Sequence, residues 1–443
     1  MMRTNTTLLT IVTQLTFLCL LSGIQAAEPN QVIDSSTLKG RVMCGYQTWF
    51  RCPGDESDIG WYHWVRSRTE FRGDLLTVDM WPDVSLYPES ETCPVPGFTH
   101  PDGAQARLFT SDSQAVVAKH FELLRDYGID GVWLQRFLVG LPGKGPLSSE
   151  LCEKYSVSHE RITNYIRESA HATGRVWAIS YDIAGMPNEH IYETLIENWQ
   201  KTVDSGIVFD DRYMKHDGKP VVQIWGFYSG NTHNHITAEL ANRLIDFFEQ
   251  PGTYQATLVG GGSWDWRVHP DPEWRAYYKR FKVYSPWNIG NFAPAPDTDQ
   301  WGASMGFWED DRKAAEQNGT LWIPTVYPGF TWDNLTRKEP GMTLTPRRKG
   351  MFLWEQFRKL AEMKQTSVYV AMFDEYDEGT AILPICDTPP TQGHFVDNEG
   401  MPADWYLRIV GEGAKMLRGE IPYSKEIPFV PDTANPTHNI DRE

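Results

Sequence analysis

The sequence predicts an α/β fold, a (β/α)8 TIM barrel with elaborated βα loops, built as a single domain over residues 39–425. Three observations point there. Short apolar runs alternate eight times with helix-like stretches, several runs are unbroken successions of β-branched and aromatic residues, and no linker-like composition interrupts the series. Unbroken runs suit parallel strands buried on both faces. Their alternation with helices over this length suits a closed barrel. An open doubly wound sheet is the alternative. Gly260-Gly261-Gly262, however, lacks the spacing and the Lys-Ser/Thr ending of a phosphate loop.

The elements follow in order. Arg3 is the only charge before Glu28, an apolar stretch runs over 8–21, and Ser22, Gly23, Ala26 and Ala27 supply small residues. That order is a secretory signal peptide over residues 1–26, which places the mature protein outside the cytoplasm, secreted or periplasmic. A membrane anchor is the competing reading, but the run is shorter than the ~20 apolar residues a spanning helix needs. Strands are expected at 42–49, 131–137, 176–182, 220–225, 255–260, 282–287, 321–326 and 367–373, with 75–81 a possible ninth in an excursion after the first. Helices are expected at 113–127, 237–249 and 348–363, where apolar residues recur at helical spacing. Gly128 supplies a stop signal after the first. Residues 426–443 form a tail rich in Pro, Asp and Asn.

Composition excludes some functions. The net charge of −17 repels nucleic acid and anionic membranes. The mean hydropathy of −0.45 argues against a polytopic membrane protein. After signal removal five cysteines remain (Cys44, Cys52, Cys93, Cys152 and Cys386), so at least one stays unpaired or pairs between chains. One disulfide among the first three is expected in an oxidising compartment. No Cys/His spacing suggests zinc, and His233-x-His235 reads as a solvated loop, so no metal or cofactor is expected. The 18 Trp, 19 Tyr and 20 Phe serve either a core or the stacking platforms of a sugar site.

In a barrel, working residues sit just after the carboxyl ends of the strands. There the chain places Gln47 and Trp49, then Gln135 and Arg136, Asp182, Trp225, Trp264, Trp287 and Tyr327, and last an acidic cluster whose Asp374 is expected to contact substrate. A buried Arg136 would need a partner, and the acidic cluster at the last strand is the expected one. That cluster is the most informative segment: Phe373-Asp-Glu-Tyr-Asp-Glu-Gly-Thr380. Crowded, desolvated carboxylates have raised and unequal pKa values. One can then donate a proton while another stays ionised, as glycoside hydrolysis requires. A helix N-terminus or a hard-cation site would also use such residues.

This segment resembles the Asn-Glu-x-x-Glu-Gly-Thr motif of glycoside hydrolase family 99, the endo-α-mannosidases, and the wider assemblage of families 71 and 99. The order of other pieces is similar too: Tyr46-Gln-Thr-Trp-Phe, Trp61-Tyr-His-Trp64, His120-Phe-x-x-Leu-x-x-x-Gly-Ile-Asp-Gly131, Gly218-Lys-Pro-Val-Val222 and Ile323-Pro-Thr-Val-Tyr-Pro-Gly-Phe330. The resemblance implies a retaining enzyme with a glycan or polysaccharide substrate. Glu375 would deprotonate the substrate 2-hydroxyl, and Glu378 would be the general acid/base. Tyr46, His63 and Tyr327 would belong to the site region. The chain departs from the motif at Asp374, where the family has Asn, and at Asp377, an added charge. α-Mannan-like and α-glucan-like substrates both stay open. A non-catalytic glycan-binding protein on the same barrel is the alternative.

Overall fold

The computed structural model describes residues 31–143, 145–229, 236–295 and 300–431. The expected signal peptide, His233-x-His235 and the end of the tail lie outside them. Eight strands form the expected barrel: β1 Val42–Tyr46, β2 Gly131–Phe137, β3 Val176–Asp182, β4 Lys219–Phe227, β5 Thr257–Ser263, β6 Val283–Trp287, β7 in two pieces, Leu321–Trp322 and Thr325–Val326, and β8 Val368–Val370. Neighbours pair in parallel in the order β6-β5-β4-β3-β2-β1-β8. Closure falls to β7. Its first piece pairs with β6 and its second with β8. Pro324 sits between the pieces and has no N–H to donate, yet its carbonyl accepts from Tyr369 N at 3.0 Å.

Each strand is followed by a helix: α1 Gln114–Asp126, α2 Ser149–Thr173, α3 Asn188–Asp204, α4 Ala238–Glu249, α5 Pro272–Tyr278, α6 Trp308–Asn318, α7 Met351–Glu362 and α8 Trp405–Arg418. The starts are set locally. Ser113, Ser148 and Thr237 cap α1, α2 and α4 by accepting from Val116 N, Leu151 N and Leu240 N. Such caps contribute about 1 kcal/mol each. The buried residues of α1 include Val116, Val117, His120, Phe121 and Leu124, the stripe its sequence spacing predicts. No helix among the described residues is long and apolar enough to cross a membrane.

Strand alternation decides what faces the barrel axis. On β1, Gly45 faces inward. A Cβ there would collide with the Met372 side chain and the Tyr369 hydroxyl, so only glycine fits. Gly45→Val should therefore destabilise the protein by about 3 kcal/mol, as overpacked cores do. A lowered urea midpoint would show it.

Two expectations need correction. Residues 75–81 form no strand: the segment holds a 3-10 turn, Gly73–Leu75, and isolated bridges at Val65/Leu76 and Pro82/Ile385. Its apolar residues instead pack beneath the acidic loop, where Asp79 N donates to Tyr376 O at 3.1 Å. The excursion's strands are the antiparallel pair Thr92–Thr99 and Gln105–Phe109. The five cysteines are free thiols, against the one disulfide expected.

Candidate active site

The acidic segment leaves β8 at the carboxyl-terminal face of the barrel and folds back on itself. Thr380 N and Ala381 N both donate to Glu375 O, at 3.2 and 3.0 Å. Gly379 makes the turn at φ 60°, and a Cβ there would strike Thr331. The four carboxylates then receive four different environments.

Asp374 is fully buried. Its Oδ1 accepts from Gln47 N at 2.7 Å and its Oδ2 from Thr48 N at 2.9 Å. It thus ends β1 at Tyr46 by taking the next two backbone amides. Its expected contact with substrate is corrected: both oxygens are occupied by backbone. Asp374→Ala would leave two buried amides unpaired and should cost about 3 kcal/mol, read as a lowered urea midpoint. Asp374→Asn should cost less, because one oxygen still accepts.

Glu375 is buried and held from both sides. Oε1 accepts from Gln47 Nε2 at 2.7 Å, and Oε2 accepts from the Thr380 hydroxyl at 2.8 Å. Asp377 Oδ2 lies 3.1 Å from His63 Nδ1, while its buried Oδ1 has no partner. His63 in turn stacks on Trp49, ring centroids 3.8 Å apart and planes within 6°. Glu378 is the least buried of the four.

Burial dominates the electrostatics. It pushes Asp374 up to about 7, and Glu375 and Asp377 up to about 8. The neighbouring Asp377 also raises Glu375. Glu378 is raised by burial first, then by Glu375, Asp377 and Asp182. Asp182, at the end of β3, is itself raised to about 7 by burial. Burial and Arg51 lower His63 to about 3, which leaves the ring neutral at pH 7. The His63–Asp377 contact is therefore between a neutral ring and a carboxyl that keeps its proton. In that arrangement the Asp377 O–H donates to Nδ1 and Nε2–H is left free. The coupled carboxyls cannot all ionise together at neutral pH.

Other residues named from the sequence divide into two groups. Gln135 faces inward and donates to the Tyr369 hydroxyl at 2.8 Å. Trp287 packs edge-on against Tyr369, centroids 5.9 Å apart, and Trp225 edge-on against Trp287 at 5.6 Å. These rings wall the mouth beside the carboxylates. Trp264 is exposed next to Phe307, farther out on the β5 loop.

Three others are turned away, and their expected roles are corrected. Arg136 points to the outer wall, where Nη1 donates to Asn198 Oδ1 at 2.9 Å and Thr202 Oγ1 at 3.0 Å. It does not reach the acidic cluster, because Gln135 takes the inward position and successive side chains alternate. Tyr46 alternates with Gly45 in the same way, and its hydroxyl pairs with His120 Nδ1 of α1 at 2.6 Å. Tyr327 is fully buried, and its hydroxyl donates to Asn291 O at 2.9 Å. Its backbone is held by Gln356 of α7.

Solved structures match this architecture. One is a GH99 endo-α-mannosidase from Bacteroides thetaiotaomicron in complex with Bis-Tris propane, with a TM-score of 0.61 and 16% identity over 87% of this chain and 99% of that one. The same enzyme without that compound gives a TM-score of 0.61 and 16% identity over 86% and 99%. This chain shares their fold. No family model matches its sequence, and no curated protein does. The structural likeness runs through nearly the whole length of the mannosidase.

Sequence reasoning placed Gln47 at a strand end without giving it a role, and gave none to Thr380. Both hydrogen-bond Glu375. The signal for Gln47 was its parity with Gly45: if Tyr46 faces out, Gln47 faces in.

Proposed function

We propose that the protein is a retaining glycoside hydrolase acting on an α-linked glycan or polysaccharide. The observation that carries this reading is the contrast between Glu375 and Glu378. Glu375 is fixed by two hydrogen bonds, whereas nothing among the described residues hydrogen-bonds the half-buried Glu378 carboxyl. A fixed base and a free acid are what the two steps need. In the first step Glu378 protonates the leaving oxygen as the glycosidic bond breaks. Glu375 takes the proton of the sugar 2-hydroxyl, whose oxygen closes on the anomeric carbon to give an anhydro sugar. In the second step Glu378 takes a proton from water, the water oxygen opens the ring at the anomeric carbon, and Glu375 returns its proton to the 2-oxygen. Two inversions give net retention.

The fold shared with an endo-α-mannosidase supports an α-linked substrate, and α-mannan-like and α-glucan-like chains are the first choices. The basic start, apolar run and small-residue exit of residues 1–26 support secretion or a periplasmic location. Digestion of α-mannans, α-glucans and algal and plant polysaccharides by the purified mature chain, read by mass spectrometry, tests the reading. Released oligosaccharides from an α-linked member are expected. Binding without release from any member would instead support a glycan-binding protein.

Asp377 gives a further kinetic expectation. As Asp377 loses its proton its charge raises Glu375, so Asp377→Asn, which never ionises, should let Glu375 ionise at lower pH. The acidic limb of the kcat/KM profile should then move to lower pH. An unmoved limb would separate Asp377 from the base.

A further inference from the structure

Outward-facing Arg136 lies at the floor of a cavity of about 330 Å³ between α2 and α3. Arg136 as a whole is only 6 % exposed, and every acceptor its guanidinium has is neutral: Asn198, Thr202 and, at 3.4 Å, Thr163. Its Nε–H is buried with no acceptor. No carboxylate pairs with it among the described residues. Neutral acceptors satisfy hydrogen bonds but leave the charge uncompensated, and a buried uncompensated charge is costly.

The rest of the lining carries the same sign. Arg167 and Lys201 join Arg136, and neither forms an ion pair among the described residues. The one lining carboxylate is the exposed Glu160 at the rim. Three cations against one anion is a reversal of local charge in a chain whose net charge is −17. Asn164 and Ser156 add polar groups to the wall. A planar fork with an unused donor, flanked by two further cations, suits a compact oxyanion.

We propose that this cavity binds a phosphate or sulfate group, free or as an ester on a sugar, with Arg136 as its anchor. The site is on the outer wall, on the far side of β2 from the acidic cluster, and stands independently of glycan hydrolysis.

Isothermal titration of the mature chain with sodium phosphate and sodium sulfate, at constant ionic strength against sodium chloride, tests it. Glucose 6-phosphate and glucose 6-sulfate form a second pair of arms. Saturable one-to-one binding of an oxyanion and none of chloride is expected. The double variant Arg167→Ala/Lys201→Ala alters only the cavity's outer cations, so its ion-free melting temperature should match wild type while its affinity falls about tenfold. Arg136→Lys keeps the charge, loses the fork and should weaken binding further. Tighter binding of an ester than of the free ion would identify the sugar-borne group, and equal or tighter binding of the free ion would identify inorganic anion. Absence of saturable binding in all four arms would overturn the proposal. So would equal affinity in wild type and the double variant.

Discussion

Glu378→Gln should lose glycan turnover by about 10³-fold while keeping its fold, because removing a general acid/base typically costs 10²–10⁴-fold. The side chain is half-buried and unbonded, so an isosteric amide disturbs no internal contact. The amide cannot protonate a leaving oxygen. A substrate with a good leaving group needs little protonation, so such a substrate should recover much of the first step. Glu375→Gln should behave differently. Its amide nitrogen would face the Gln47 or Thr380 donor, so a loss in stability should accompany the loss in rate. No leaving group should rescue it, because the 2-hydroxyl would still lack its base. Steady-state kinetics of both variants, with circular dichroism as the fold control, read these outcomes. Unchanged turnover in both would remove the mechanism.

The protein should lose stability between about pH 4 and pH 8. Asp377 and Glu375 titrate near 8 in the folded protein, against 3.8 and 4.5 for ordinary groups. Across that interval the folded state holds protons that the unfolded chain has released. Stability is then fully present at the acid end and falls as pH rises toward the folded values. The Asp377→Asn variant has no proton to lose there. Its melting temperature should fall less than that of wild type between pH 5 and pH 8. Parallel curves for the two proteins would contradict the assignment.

The barrel was legible because parallel strands buried on both faces leave continuous apolar runs, and those runs recur with helices between them. All eight strands overlap the expected positions, though β8 and β1 end early. β8 is shorter than its run: Ala371 N still donates to Val326 O of β7, but Met372 N leaves the ladder and donates to Thr380 O. β1 ends early for a different reason: Asp374, more than 300 residues away, takes the amides that would have continued it. A local reading has no access to such a partner. The same limit explains 75–81, whose apolar residues serve a loop core rather than a ladder.

At the site, residue types and strand ends were legible, while side-chain direction was not. Gln135 and Arg136 are equally polar, and only pairing register shows which one faces the axis. Tyr46 and Tyr327 stood in segments that resemble a known family, yet both hydroxyls are spent on the scaffold. The acidic cluster was legible as a cluster. Its division into a backbone clamp at Asp374, a fixed Glu375, a His63-paired Asp377 and a free Glu378 depended on contacts between distant segments.

The most direct measurement follows the first product by proton NMR on an α-linked substrate found by the digestion panel, with wild type and Glu378→Gln side by side. The account predicts that wild type releases the α-anomer first, with the β-anomer growing only by mutarotation, and that the variant releases neither at a comparable rate. Initial release of the β-anomer, or equal release by the variant, would contradict it.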